Sequence, residues 1–285
     1  MKLLRWGNPG HERPGMLDAA GRMRDLSSVV EDIAADGLAA TLGLARETSP
    51  ESLPFVDPAA RIGPPLRGVG KIICVGLNYV DHACETGQSA PAEPILFLKA
   101  TSSIVGPNDD IVLPPDAQKG DWEVELGIVV GRTSRYVALD DAMAHVAGFC
   151  VINDVSERSY QLERGGQWDK GKGCDTFCPL GPYLVSTDEV ADFNALALRC
   201  EVNGRVVQSG NTRDMIFDVP FLLHYISQFM SLQPGDIISS GTPHGVGMAM
   251  QPPQWLAEGD TVALTIDGLG TQRQRVARYP SRGLR

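Results

Sequence analysis

Runs of lysine and arginine are missing from this 285-residue chain, and its formal net charge is −10. A nucleic-acid-binding face needs a basic cluster, so that class of partner is set aside. Long apolar runs are missing too. Arg5 interrupts the opening Met-Lys-Leu-Leu, which argues against a signal peptide, and no stretch approaches the ~18 apolar residues of a membrane span. The six cysteines (Cys74, Cys84, Cys150, Cys174, Cys178 and Cys200) form no C-x-x-C pair. Reduced, half-buried thiols of a cytoplasmic protein are the simplest expectation. Cys174 and Cys178 offer half of a zinc site, with no second thiol or His pair to complete it. No internal repeat appears at a solenoid period.

What is present is globular material: 43% hydrophobic and 21% charged residues, enough for one large core, or a large domain with a small one. Residues 1–65 read as a small N-terminal α+β unit. Short strands are expected at Leu3–Trp6 and around Met16–Leu26. Ser28 and Glu31 have capping-box spacing, which predicts a helix starting there. A polar stretch with Pro50, Pro54, Pro58, Pro64 and Pro65 then reads as a linker.

Residues 66–285 have a different texture. Lys71-Ile-Ile-Cys-Val75 opens a series of short β-branched runs, and Asn203-Gly204 between Glu201-Val202 and Arg205-Val206 is a strong hairpin signal. Helical texture is limited to about Leu139–Met143, Ser156–Arg164 and Pro220–Met230. The fold class is therefore β-rich α+β, a folded sandwich or roll with a few covering helices.

The most informative segment is Asp121-Trp-Glu-Val-Glu-Leu-Gly-Ile-Val-Val130. In a strand, residues two apart share a face. Trp122, Val124 and Leu126 then face a core while Glu123 and Glu125 project together from the other side. A solvated strand face would tolerate such a pair, but the apolar run Leu126–Val130 points to a buried strand, where like charges need compensation. Asp154, ending the apolar run Val151-Ile-Asn, is either a helix N-cap or a third carboxylate. Three oxygen ligands favour Mg²⁺, Mn²⁺ or Ca²⁺ over Zn²⁺, and they leave open positions for a bidentate keto acid.

Gly76-Leu-Asn-Tyr79 followed by Asp81-His82-Ala-Cys-Glu85 resembles the G-x-N-Y-x-x-H-x-x-E segment of the fumarylacetoacetate hydrolase family. Pro94–Lys99, Glu123-Val-Glu125-Leu-Gly127, Asp154, Lys172 and Gly241-Thr-Pro-His-Gly245 follow in the family's order. Within it, the whole chain resembles the bacterial branch acting on 2,4-diketo-3-deoxy sugar acids of the rhamnonate and fuconate series. Leu77 departs from the acylpyruvase–decarboxylase branch, which has Arg there.

The resemblance implies a mixed β-roll catalytic domain, a homodimer or larger homo-oligomer, and Mg²⁺ or Mn²⁺ on Glu123, Glu125 and Asp154. It implies a His82–Glu85 dyad on a mobile segment. The two are three apart and share a helical face, so Glu85 can orient His82 to take a proton from water. Lys172 would stabilise a developing enolate, with Lys170 a dispensable neighbour. Tyr79, Lys99, Arg158, Gln161 and Thr242 would contact a small anionic diketo acid, Gln161 lying against Lys172 or the water. The expected reaction is hydrolysis of a C3–C4 bond to pyruvate and a hydroxy acid such as lactate. The alternatives are isomerisation or decarboxylation of a keto acid, or a non-catalytic metal-binding β module. His11, His145 and His224 read as structural, and His244 as a candidate for the pocket wall.

Overall fold

Ile72 and Cys74 pack on one side of the strand Ile72–Gly76, and Ile73 and Val75 on the other. A strand that is apolar at every position must be covered on both faces. The same holds for Val146–Asn153, where Phe149 and Val151 enter one core and Ala147, Cys150 and Ile152 the other. Each fully buried aliphatic side chain contributes ~1.5–3 kcal/mol, so these two faces carry much of the stability. The structure is a computed structural model and describes residues 1–280.

Both strands lie in a mixed sheet of 10 strands. From one edge it runs Met23–Asp25, Arg13–Leu17, Lys2–Trp6, Leu184–Ser186, Val146–Asn153, Val124–Val130, Ile237–Ser239, Ile72–Gly76 and Ile95–Lys99, with Ile62–Gly63 also paired to Lys2–Trp6. A 5-stranded sheet packs over its first face, in the order Arg205–Asn211, Ala197–Val202, Thr261–Ile266, Gly270–Arg278 and Ile111–Leu113. Leu198, Cys200, Val262, Leu264 and Val276 share one core with Val124, Leu126 and Ile128.

Among the described residues five α-helices cover this frame: α1 (Leu38–Glu47), α2 (Val80–Glu85), α3 (Arg158–Leu162), α4 (Asp169–Lys172) and α5 (Val219–Ser227). Helix α5 lays Leu222, Leu223 and Ile226 on the core between the sheets, and Asp218 caps it by accepting a hydrogen bond from the Phe221 N–H at 3.0 Å. Helix α1 lays Leu38, Leu42 and Ala45 on the other core. The β-rich α+β expectation is met.

The Asn203-Gly204 hairpin forms as expected, with both residues at positive φ (52° and 76°), as a two-residue type I′ turn requires. The helix predicted from Ser28 and Glu31 does not form. Asp25 accepts hydrogen bonds from the Ser27 N–H and hydroxyl, and the Leu26 carbonyl accepts from Val29 and Val30, which closes a turn instead. Helix α1 starts ten residues later, after Gly37 at φ 79°. The Leu139–Met143 texture is a 3₁₀ helix spanning Leu139–His145.

Sheet pairing and core run across the boundary expected near residue 65. Lys2–Trp6 pairs with Leu184–Ser186, and Leu3, Met16 and Leu26 share a core with Ile72 and Cys74. Of the expected unit 66–285, residues 281–285 lie outside the described residues. Among the described residues no helix is long and apolar enough to cross a membrane.

Candidate active site

Strand register builds the acidic cluster. Val124 pairs with Asn153, and the Asp154 N–H donates to the Glu123 carbonyl at 2.9 Å. Glu123 therefore lies opposite Asp154, and Glu125 follows two residues along on the same face. All three are buried, and each offers a carboxylate oxygen within 4.8 Å of the others.

Three cations surround them. Lys172, ending α4, donates to Glu123 Oε2 at 2.6 Å and Asp154 Oδ2 at 2.8 Å. Lys99, ending Ile95–Lys99, donates to Asp154 Oδ1 at 2.6 Å and to the carbonyls of Val155 and Lys172. Arg158, opening α3, donates from Nη2 to Glu123 Oε1 at 2.6 Å and from Nε to Asp121 Oδ2 at 2.8 Å. Glu125 is treated differently. Its Oε2 accepts from the Ser239 hydroxyl at 2.5 Å and the Gly241 N–H at 3.0 Å, and among the described residues no cation touches it.

The titration behaviour follows from this division. Burial raises the Glu123 carboxyl, but the charges of Lys172 and Arg158 outweigh it and hold the group well below the usual carboxylate range. Glu125 is pushed up to about 8, first by burial and then by the charges of Asp154 and Glu123. Burial works against the Lys172 ammonium, yet Asp154 and Glu123 raise its pKa above the ordinary value. With all groups ionised, the buried Asp121, Glu123, Glu125 and Asp154 exceed Lys99, Lys172 and Arg158 by one negative charge.

That excess, hard oxygen donors and an unbonded Glu125 Oε1 fit a divalent cation such as Mg²⁺ or Mn²⁺. Glu123, Glu125 and Asp154 would hold it. Among the described residues this is the one group of His, Cys, Asp and Glu side chains that converges in this way, so Cys174 and Cys178 build no second site.

Helix α2 brings His82 to the same pocket. Its Nδ1 lies 2.7 Å from Glu85 Oε1, while Glu85 Oε2 accepts the Gly245 N–H at 2.9 Å. A proton on Nδ1, donated to the carboxylate, leaves Nε2 as the free base. Gly245 has φ 104°, and a Cβ there would sit 2.0 Å from the Val207 carbonyl oxygen, so only glycine lets the loop reach Glu85. The pocket has a volume of about 110 Å³. Its floor holds Glu123, Glu125, Arg158 and Lys172, and Leu77, Phe97, Leu162, Trp168 and Met248 make an apolar wall.

Residues 71–277 match the family described as fumarylacetoacetate (FAA) hydrolase C-terminal. The chain belongs to the fumarylacetoacetate hydrolase family. A relative from Sphingomonas sp., named 2,4-didehydro-3-deoxy-L-rhamnonate hydrolase, is 50% identical over 280 residues, covering 98% of this chain and 97% of the relative. The solved fumarylacetoacetate hydrolase of Exiguobacterium antarcticum is 35% identical with a TM-score of 0.85, covering 98% of this chain and 100% of that one. A 2-hydroxyhepta-2,4-diene-1,7-dioate isomerase of Mycobacterium marinum is 34% identical with a TM-score of 0.75, and both chains are covered in full (100%).

Of the residues that the family likeness brings forward, His82, Glu123, Glu125, Arg158, Gln161, Lys172 and Thr242 line one pocket. Asp154 and Glu85 lie against it through Lys172 and His82. Two expected substrate contacts do not line the pocket. The Lys99 ammonium is fully buried and committed to three acceptors, so it fixes Asp154 from behind. Tyr79 is fully buried at the start of α2, and its hydroxyl has no hydrogen-bond partner among the described residues. Gln161 accepts from Arg158 Nη1 at 3.0 Å instead of meeting Lys172. The Thr242 hydroxyl donates to the Val124 carbonyl at 2.9 Å and accepts from Gln208, which spends its one proton inside the protein.

His244 faces Asp81 rather than the pocket. His145 meets the Ser134 hydroxyl and His224 the Val137 carbonyl, as structural residues do.

Two residues were missed. Asp121 is buried beside Arg158 and also accepts from the N–H groups of Gly247 and Met248. Its signal was the alternation itself, since Asp121, Glu123 and Glu125 share parity. Asn78 ties the start of α2 to Phe217 and Ser240, and nothing local in the sequence announces those distant partners.

Proposed function

We propose that this chain is a divalent-metal-dependent hydrolase of a 2,4-diketo-3-deoxy sugar acid, the L-rhamnonate compound first, which it splits at C3–C4 into pyruvate and L-lactate. The observation that carries this reading is a His–Glu dyad and a three-carboxylate cluster opening on one pocket, in a chain half identical to a relative named 2,4-didehydro-3-deoxy-L-rhamnonate hydrolase. Mg²⁺ or Mn²⁺ held by Glu123, Glu125 and Asp154 would polarise the α-keto acid end and stabilise the charge that develops there.

The chain's own residues supply the rest. His82 Nε2 takes a proton from water as the oxygen attacks the C4 carbonyl, and Glu85 holds the resulting imidazolium through Nδ1–H. Lys172 faces the charge on the departing three-carbon fragment as the C3–C4 bond breaks. The proton taken by His82 returns to C3 of that fragment. Water has then added hydroxyl to C4 and hydrogen to C3, giving a carboxylic acid and pyruvate. Asp121 holds Arg158 in place, and Arg158 in turn fixes Glu123. The apolar wall of Leu77, Leu162, Trp168 and Met248 suits the methyl end of a 6-deoxy substrate.

Isomerisation is the second reading, favoured by the likeness to the solved dioate isomerase. It needs proton transfer but no water and no carbon–carbon bond cleavage. Purified protein with Mg²⁺ and 2,4-diketo-3-deoxy-L-rhamnonate should release pyruvate and lactate in equal amounts, measured by chromatography. Substrate rearrangement without fragments would replace hydrolysis by isomerisation, and CO₂ from oxaloacetate alone would point to decarboxylation. Family resemblance also supports a cytoplasmic homodimer or larger homo-oligomer, which light scattering would test.

A further inference from the structure

Helix α2 has six residues, too few to persist without tertiary support. Its N-terminal side is anchored firmly. Asn78 donates to the carbonyls of Phe217 (3.0 Å) and Ser240 (2.7 Å) and accepts from the Phe217 N–H at 2.8 Å. On its C-terminal side the chain leaves through Gly87 at φ 72° into an exposed stretch. Between these points, among the described residues, the side chains of α2 make polar contact with one other segment, the loop after Ser240. Gly245 reaches Glu85 through its backbone N–H, and His244 reaches Asp81, with Nδ1 2.5 Å from Oδ2. The other Asp81 oxygen accepts the His82 N–H at 2.8 Å, so one carboxylate joins His244 to the backbone of the dyad histidine.

We propose that the Asp81–His244 pair is a latch that holds α2 over the pocket, which makes His244 a positioning residue for the His82–Glu85 dyad. Helix α2 and the turn after it form part of the pocket's edge, through His82, Thr86 and Gln88. A latch that opens each turnover has to be weak. The side chains of His244 and Asp81 are 52% and 42% exposed, the environment in which a hydrogen bond to a carboxylate shifts an equilibrium only severalfold. Neighbouring residues of one loop thus grip the first turn of α2 by a side chain and its last residue by the backbone. Only the side-chain grip varies with sequence without disturbing the glycine.

Hydrogen–deuterium exchange of the full-length protein tests the latch without reference to activity. In His244→Ala the amides of α2 should exchange roughly two- to five-fold faster while those of α5 stay unchanged. His244→Asn, whose side-chain amide can donate to the same carboxylate, should restore the native rate. Combining His244→Ala with Asp81→Ala should add nothing to Asp81→Ala alone. The positioning role rests on the hydrolase reading and is judged by pyruvate release. There His244→Ala should lower kcat several-fold, and His244→Asn should recover it. Native exchange in His244→Ala overturns the latch. Faster exchange with native kcat overturns the positioning role. Native protein that releases no pyruvate from any keto acid overturns the hydrolase reading, and the positioning role with it, while exchange still decides the latch.

Discussion

Binding of Mg²⁺ or Mn²⁺ to the carboxylate cluster should expel nearly one proton at pH 7, and Glu125 is its source. In the metal-free protein burial and the charges of Asp154 and Glu123 push this carboxyl from an ordinary 4.5 up to about 8. That displacement corresponds to about 5 kcal/mol between the two protonation states. Glu125 is then about nine-tenths protonated at pH 7 and about half at pH 8, and a metal ligand must be ionised. Metal affinity should fall about tenfold for each pH step of one below 8. Titration calorimetry in two buffers of different ionisation enthalpy counts the proton directly.

The stability consequence has a definite sign. Between about pH 4.5 and 8 folded, metal-free protein holds a proton that the unfolded chain has released. This group therefore makes the metal-free protein less stable as pH rises through that window. Saturating metal should cancel the slope, and Glu125→Gln should flatten it while abolishing metal binding. An affinity that is level from pH 6 to 8, with no proton released, would refute the reasoning.

Other outcomes follow from the same geometry. His82→Ala should leave the metal Kd unchanged and lower kcat by ~10²–10⁴, read by calorimetry and pyruvate release. Lys172→Met leaves Glu123 and Asp154 without their shared ammonium and should destabilise the metal-free protein by ~3–5 kcal/mol in denaturant melts. Lys170→Ala removes only an exposed bond to the Arg164 carbonyl and should change stability by less than ~0.5 kcal/mol. Asp121→Ala frees Arg158 Nε and the N–H groups of Gly247 and Met248, so it should cost on the order of 1–3 kcal/mol in a melt and lower kcat/KM as well.

The carboxylate cluster was legible because strand alternation is a local rule. The parity of Trp122, Val124 and Leu126 against Glu123 and Glu125 survives folding unchanged. Asp154 needed one further step, the pairing of Val124 with Asn153, which two adjacent apolar runs make natural. Lys99 and Tyr79 lie off the pocket: a motif gives proximity and not direction. Lys99 ends a strand and turns beneath Asp154, away from the pocket. The Ser28–Glu31 spacing satisfied a capping rule, yet the Asp25 side chain reached the Ser27 amide first and closed a turn. The pairing of Leu3 with Leu184 spans most of the chain, and no property of residues 1–65 alone could foretell it.

The cysteines of this fold are sharply divided. Cys74 and Cys150 lie inside the sheet, their thiols pushed far upward by burial, which leaves them inert toward oxidants and alkylating reagents. Cys84, beside Glu85 on α2, is the one exposed thiol of the six. A thiol-directed dye would therefore settle first on the segment that carries the dyad. This gives the protein a ready attachment point for a fluorophore that reports the opening of its own active site.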